Sequence, residues 1–127
     1  MRTRPAILIV DDDEDIREIL RIFLEADGYR VIVASDGCEA WKRMSDERPR
    51  LIILDWMMPH MDGELFLKKL RPSRFARIPV IVLSGSDSAL QKARTFKAIS
   101  LKKPVEFDEL LTAINQSIFP KTRRDAA

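Results

Sequence analysis

Cysteine is nearly absent. Cys38 is the only one, so no disulfide can form within the chain, and a reducing compartment is the economical reading. A small buried hydrophobe is the role expected of that residue. Long hydrophobic runs are missing too. The apolar stretch from Ala6 to Val10 follows a basic start, Met1-Arg2-Thr3-Arg4-Pro5, but it ends in acids and is far too short for a signal peptide or a membrane span. A cytoplasmic protein that does not touch membrane is expected. Charge of one sign is also lacking: 22 Lys and Arg stand against 20 Asp and Glu, a net charge of +2 too small to mark a direct nucleic-acid binder. The densest basic group is Lys68, Lys69, Arg71, Arg74 and Arg77, which reads as the solvated face of a helix and its exit loop. No internal repeat or low-complexity tract interrupts the chain.

What is present is the make-up of one folded domain. The 127 residues are 46% hydrophobic and 33% charged, well outside the range of disordered chains. A chain of this length buries roughly two-thirds of its unfolded surface. The expected domain covers residues 4–119, and residues 120–127 form a short charged tail too small to be an effector.

Hydrophobic periodicity alternates between strand and helix. Ala6 to Val10 is a continuous apolar run of the kind covered on both faces in a parallel sheet. Ile16, Ile19, Leu20, Phe23 and Leu24 then recur at helical spacing, with Gly28 as a left-handed stop. Tyr29 to Ala34 reads as a second strand. Cys38, Ala40, Trp41 and Met44 form a second helical stripe, closed by Pro49. Leu51 to Leu54 and Pro79 to Leu83 are two more strands, separated by a helix over Leu65 to Leu70 that Asp62 would cap. Ala89, Leu90, Ala93 and Phe96 suggest a fourth helix, Ala98 to Leu101 a short strand, and Phe107 to Ile118 a last helix before Pro120. Trp41, Met44 and Phe107 lie on apolar stripes and belong to the core. Five strands alternating with five helices imply an α/β fold, a (βα)5 doubly wound parallel sheet with helices on both faces.

In such sheets ligands bind beyond the carboxyl ends of the strands. The residues there are Asp11 and Asp12 after the first strand, Asp55 after the third, Ser84 after the fourth, and Lys102, Lys103 and Pro104 after the fifth. Two carboxylates about 4 Å apart repel by roughly 4 kcal/mol at an effective dielectric near 20, so a compensating cation is expected. All-oxygen ligation suits Mg2+. With the charge of an incoming phosphate neutralised, an aspartate can attack phosphorus, and Asp55 is the candidate nucleophile. Lys103 could hold a phosphoryl oxygen, whereas Lys102 reads as its solvated neighbour. Ser84 could donate to another phosphoryl oxygen. Asp13, Glu14 and Asp15 are accounted for as an acidic helix start, with Asp13 as the cap. A calcium loop is excluded, because Ile16 stands at its glycine position and Ile22 at its closing acid. His60 is expected to be exposed.

The segments ILIVDDDEDIRE, LIILDWMMPHMDG, VIVLSG and LKKPVEFDELL, in this order, closely resemble the receiver domain of bacterial two-component response regulators. The resemblance implies the flavodoxin-like strand order 2-1-3-4-5. It also implies that Asp12, Asp55 and the backbone carbonyl of Met57 bind Mg2+, or Mn2+ in its place, with Asp11 helping through water. Asp55 would be the phosphoacceptor, Ser84 and Lys103 would hold the transferred group, and the Lys103-Pro104 peptide would be cis. The implied donor is a phosphohistidine on a sensor histidine kinase or a phosphotransfer protein. The implied output is a changed surface for a downstream protein. Such a domain catalyses its own phosphorylation and dephosphorylation without being a turnover enzyme.

Two departures touch the switch. Ser100 occupies the position where the family carries an aromatic ring, and the segment between Ser84 and Lys103 is short, which trims the fourth helix. They motivate an alternative, a receiver-like interaction module that works without phosphorylation. A phosphatase of the haloacid dehalogenase type is disfavoured, because Trp56 and Met57 follow Asp55 where that family needs a second acid. A switch without its own output domain is the expected function.

Overall fold

A computed structural model describes residues 4–58 and 61–119. Ten elements alternate along the chain: β1 (Ala6–Val10), α1 (Glu14–Ala26), β2 (Arg30–Ala34), α2 (Gly37–Glu47), β3 (Leu51–Asp55), α3 (Gly63–Leu70), β4 (Val80–Ser84), α4 (Asp87–Thr95), β5 (Ile99–Lys102) and α5 (Phe107–Ile118). All strand pairings are parallel, and the sheet order is β2-β1-β3-β4-β5, as the family resemblance implied. Among the described residues no helix is long and apolar enough to cross a membrane.

Strand periodicity divides the core in two. On one face Leu8, Val10, Ile52, Leu54, Val80 and Val82 pack beneath α2, α3 and α4. On the other Ile7, Ile9, Leu51, Ile53, Ile81 and Leu83 pack beneath α1 and α5. Each of β1, β3 and β4 is buried along its whole length, which explains why these strands read as unbroken apolar runs. The edge strands β2 and β5 are only partly covered.

Side chains set most helix starts. Asp13 accepts from the Asp15 and Ile16 amides, Asp36 from Glu39, Asp62 from Leu65 and Ser86 from Ala89. Gly28 ends the first helical segment at φ +96°, as its position predicts. Tyr29 belongs to the turn rather than to β2. Its amide donates to the Leu24 carbonyl, and its hydroxyl meets Asn115 on α5.

Three expectations about burial are corrected. Cys38 is exposed, because the inward stripe of α2 runs through Gly37, Ala40, Trp41 and Met44, and Cys38 lies one helical step off it. On α1 only Leu24 is fully buried, while Ile19 and Phe23 are 53% and 48% exposed. Arg71 is not a solvated helix-face residue: its guanidinium is half-buried and donates to the carbonyls of Phe96 (2.6 Å), Ala76 (3.0 Å) and Ile78 (3.1 Å). The expectations for His60, Pro120 and the 120–127 tail lie outside the described residues.

Candidate functional site

The carboxyl ends of β1, β3, β4 and β5 converge. Asp11 follows β1 in a tight turn: its amide donates to Ala34, its carboxylate accepts from the Asp13 amide at 2.9 Å, and its carbonyl accepts from Arg17 at 2.7 Å. The same turn hands Asp13 to α1 as its cap, so the path from strand to helix also fixes the acid. Asp12 faces solvent. Asp55 ends β3 opposite Leu83 of β4, and it is only 8% exposed. One carboxylate oxygen from each of Asp11, Asp12 and Asp55 falls within 4.8 Å of the others.

The neighbouring strands bring the remaining groups. Ser84 is buried at the end of β4, where its hydroxyl accepts from the Ser86 amide at 3.1 Å. Its carbonyl accepts from the Lys103 amide at 2.9 Å, which ties the two strand ends together. The Lys103 ammonium group lies 3.3 Å from Asp55 Oδ1, and the Lys103-Pro104 peptide is cis, as the family resemblance implied. Lys102 instead pairs with Asp87 on the surface. Met57 follows Asp55 by two residues, and its side chain is turned out to solvent. Its loop is closed by the Gly63 amide donating to the Trp56 carbonyl at 2.9 Å. A Cβ at Gly63 would come within 2.8 Å of the Trp56 ring, so that closure needs glycine.

Three carboxylates face one ammonium group. At 4.8 Å two such charges repel by about 3–4 kcal/mol at an effective dielectric near 20. Burial, followed by the charges of Asp55 and Asp12, pushes the Asp11 carboxyl up to about 6, although the Asp13 amide and Lys103 pull the other way. A hard divalent ion offers a better answer than a proton. Oxygens sharing one such ion lie about 3–4 Å apart, a spread this cluster can meet.

Sequence reasoning missed Arg17, which holds the backbone of Asp11 from the first turns of α1. Its signal was modest: a basic residue six positions past the first acid. It also missed that the exposed apolar side of α1 continues into a groove lined by Ile16, Ile19, Phe23, Pro104 and Phe107, with Lys103 among its walls.

The family model for the response regulator receiver domain matches residues 7–115. Response regulator MprA of Mycobacterium leprae is 38% identical over 124 residues, which are 95% of this chain and 54% of that protein. The protein of the same name from Mycobacterium ulcerans is 40% identical over 108 residues, 83% of this chain and 46% of that one. The chain thus spans about half the length of these relatives. Among solved structures, chemotaxis protein CheY4 of Vibrio cholerae superposes with a TM-score of 0.82 at 31% identity, covering 91% of this chain and 99% of that one. The signal receiver domain of a signal transduction histidine kinase from Syntrophus aciditrophicus gives 0.84 at 30% identity, covering 94% and 93%. With its sheet order, its strand-end acids and this similarity over nearly the whole length, the chain belongs to the response regulator receiver domain family.

Proposed function

We propose that this domain is a phosphoacceptor switch in a two-component relay, with Asp55 as the residue modified. The observation that carries the reading is the position of the Lys103 ammonium group, 3.3 Å from Asp55 Oδ1, beside a cluster whose carboxylate oxygens lie within 4.8 Å of one another. Asp12, Asp55 and the Met57 carbonyl, with Asp11 behind them, would hold Mg2+ or Mn2+. That ion would neutralise charge on an incoming phosphoryl group.

Asp55 attacks phosphorus in line with the leaving nitrogen of a phosphohistidine on a sensor kinase or phosphotransfer protein. The phosphorus–nitrogen bond breaks, an acyl phosphate forms, and the imidazole leaves with the electron pair and takes up a proton. Lys103 and the Ser84 hydroxyl hold the phosphoryl oxygens, so positioning and charge supply most of the rate. Water later cleaves the acyl phosphate and returns the carboxylate and inorganic phosphate.

The donor is a protein, and the apolar groove that runs from Lys103 along α1 gives it a surface beside the reacting atom. The output side lies elsewhere. Drawing Ser84 inward moves the loop that carries Ser86, the cap of α4. The Ser100 hydroxyl donates to the Leu90 carbonyl at 3.0 Å and couples α4 to β5 without an aromatic ring. The α4–β5 surface is therefore the face that changes for a downstream protein.

Intact mass after incubation with Mg2+ and acetyl phosphate or phosphoramidate tests the reading. One added phosphoryl group is expected on the wild type, none on Asp55→Asn, and none after chelation of the cation. An adduct that persists in Asp55→Asn would move the acceptor elsewhere. Partner binding that ignores both Asp55→Asn and phosphodonor would make the domain a phosphorylation-independent module.

A further inference from the structure

At the end of the sheet opposite the carboxylates, two adjoining clefts of about 550 and 530 Å3 share Arg77, Ile78 and Pro79 as a common wall. Arg48, Arg50 and Arg74 line one cleft, Arg71 and Lys97 the other, and no acidic residue lines either. Arg71 is committed to three backbone carbonyls. The rest are available. The side chains of Arg48, Arg50, Arg77 and Lys97 make no hydrogen bond or ion pair among the described residues, and Arg74 only rests over the Phe75 ring at 4.8 Å and approaches the Ser45 hydroxyl at 3.5 Å.

Helix dipoles account for part of this charge. Arg48 and Lys97 follow the ends of α2 and α4, where a cation is favourable. Both hold left-handed backbone, at φ 45° and 62°, a conformation that favours glycine. Arg50, Arg74 and Arg77 have no such explanation. Unpaired arginines gathered in one place on a chain of net charge only +2 concentrate positive potential there, while the rest of the molecule carries a net negative charge.

We propose that the paired clefts bind a soluble multiphosphate of nucleotide size, with Arg77 between two of its phosphate groups. Planar guanidinium forks match phosphate oxygens in pairs. Each cleft has the size of a small-ligand site, and Pro49, Ile78, Pro79 and Phe96 give apolar walls for the organic body of the ligand. A nucleic-acid backbone fits less well, since the basic residues form a compact patch rather than a stripe. The site stands apart from the phosphorylation pocket and does not depend on it.

Amide chemical shifts recorded while ATP is added without divalent cation test this, with tripolyphosphate and a short single-stranded oligonucleotide as parallel probes. Saturable changes confined to residues 48–50, 74–79 and 95–97 are expected for ATP and tripolyphosphate. Half-saturation should fall below about 1 mM, and Arg77→Ala should raise it at least about tenfold. Arg77→Lys should recover part of the loss, and phosphorylation of Asp55 should be unchanged in both variants. Arg77 has no side-chain bond to lose, so the variant should fold. Absence of saturable shifts, changes centred on Asp55 and Lys103, or equal binding by Arg77→Ala would overturn the proposal. An oligonucleotide that binds more than about tenfold tighter than ATP, with affinity falling steeply in salt, would overturn it in favour of a nucleic-acid backbone.

Discussion

Asp11 and Arg71 are both ionisable side chains taken out of water, one at each end of the sheet, and their surroundings treat them in opposite ways. Burial lowers the tendency of each to carry charge. Arg71 meets three carbonyl oxygens that follow helices or precede strands, so its charge completes hydrogen bonds the backbone would otherwise leave open. Asp11 has a single amide and the pull of Lys103 to set against burial and two like charges, and its carboxyl is driven up to about 6, mainly by burial. One end of the molecule is electrostatically satisfied by its own chain. At the other, like charges stand close together with one ammonium group among them, and that imbalance is the basis of the proposed cation site.

The largest effect should come from breaking the satisfied end. Arg71→Ala leaves three partly buried carbonyls without their donor, and urea denaturation should show a loss of about 2–3 kcal/mol. Phosphorylation of the folded fraction should be unaffected.

The unsatisfied end should respond to pH with the opposite sign from an ordinary ion-paired carboxylate. The folded-state value of Asp11 lies above its unfolded value of 3.8, so protonation favours the fold. This contribution is fully present below 3.8 and is lost as pH rises through about 6. Without divalent cation, the wild type should lose about 2 kcal/mol relative to Asp11→Asn between those limits, measured by denaturant titration across pH. Asn keeps the acceptor for the Asp13 amide, so the difference isolates the charge. A flat difference would place Asp11 in a more polar setting than its burial indicates.

Adding Mg2+ should then restore the lost stability. At neutral pH the wild type is expected to gain about 1 kcal/mol more than Asp11→Asn from the same millimolar Mg2+, read as a shift in unfolding midpoint. Equal gains would remove Asp11 from the cation site. The smallest change is expected at Arg77, where loss of an exposed, unbonded side chain should alter stability by less than about 0.5 kcal/mol. A larger loss would mean that the arginine clefts serve the fold, as Arg71 does.

Legibility in the sequence followed chain locality. Asp11, Asp12, Asp55 and Ser84 could be placed at strand ends because the apolar runs of β1, β3 and β4 stop sharply at a polar residue, and Lys103 because Pro104 follows the short strand β5. The caps Asp13 and Asp62 were legible for the same reason: a cap acts within three residues of itself. Cys38 was misplaced because four residues of α2 allow two readings of the helical stripe, and only the sheet beneath decides between them. The face of α1 was misread in the same way. Its apolar residues exceed what one side of the sheet can cover, so Ile19, Ile22 and Phe23 stay partly in solvent.

By itself the sequence determined the alternation of five strands with five helices and the identity of the groups at the strand ends, because hydrophobic period and capping act between near neighbours in the chain. Tertiary structure alone decided that Lys103 comes within 3.3 Å of an acid 48 residues away, that Arg71 turns inward to the carbonyls before β4 and β5, and that unpaired arginines gather around Arg77. Those outcomes depend on strand order and on the direction each crossover takes, which join residues remote in sequence and leave no periodic trace along the chain.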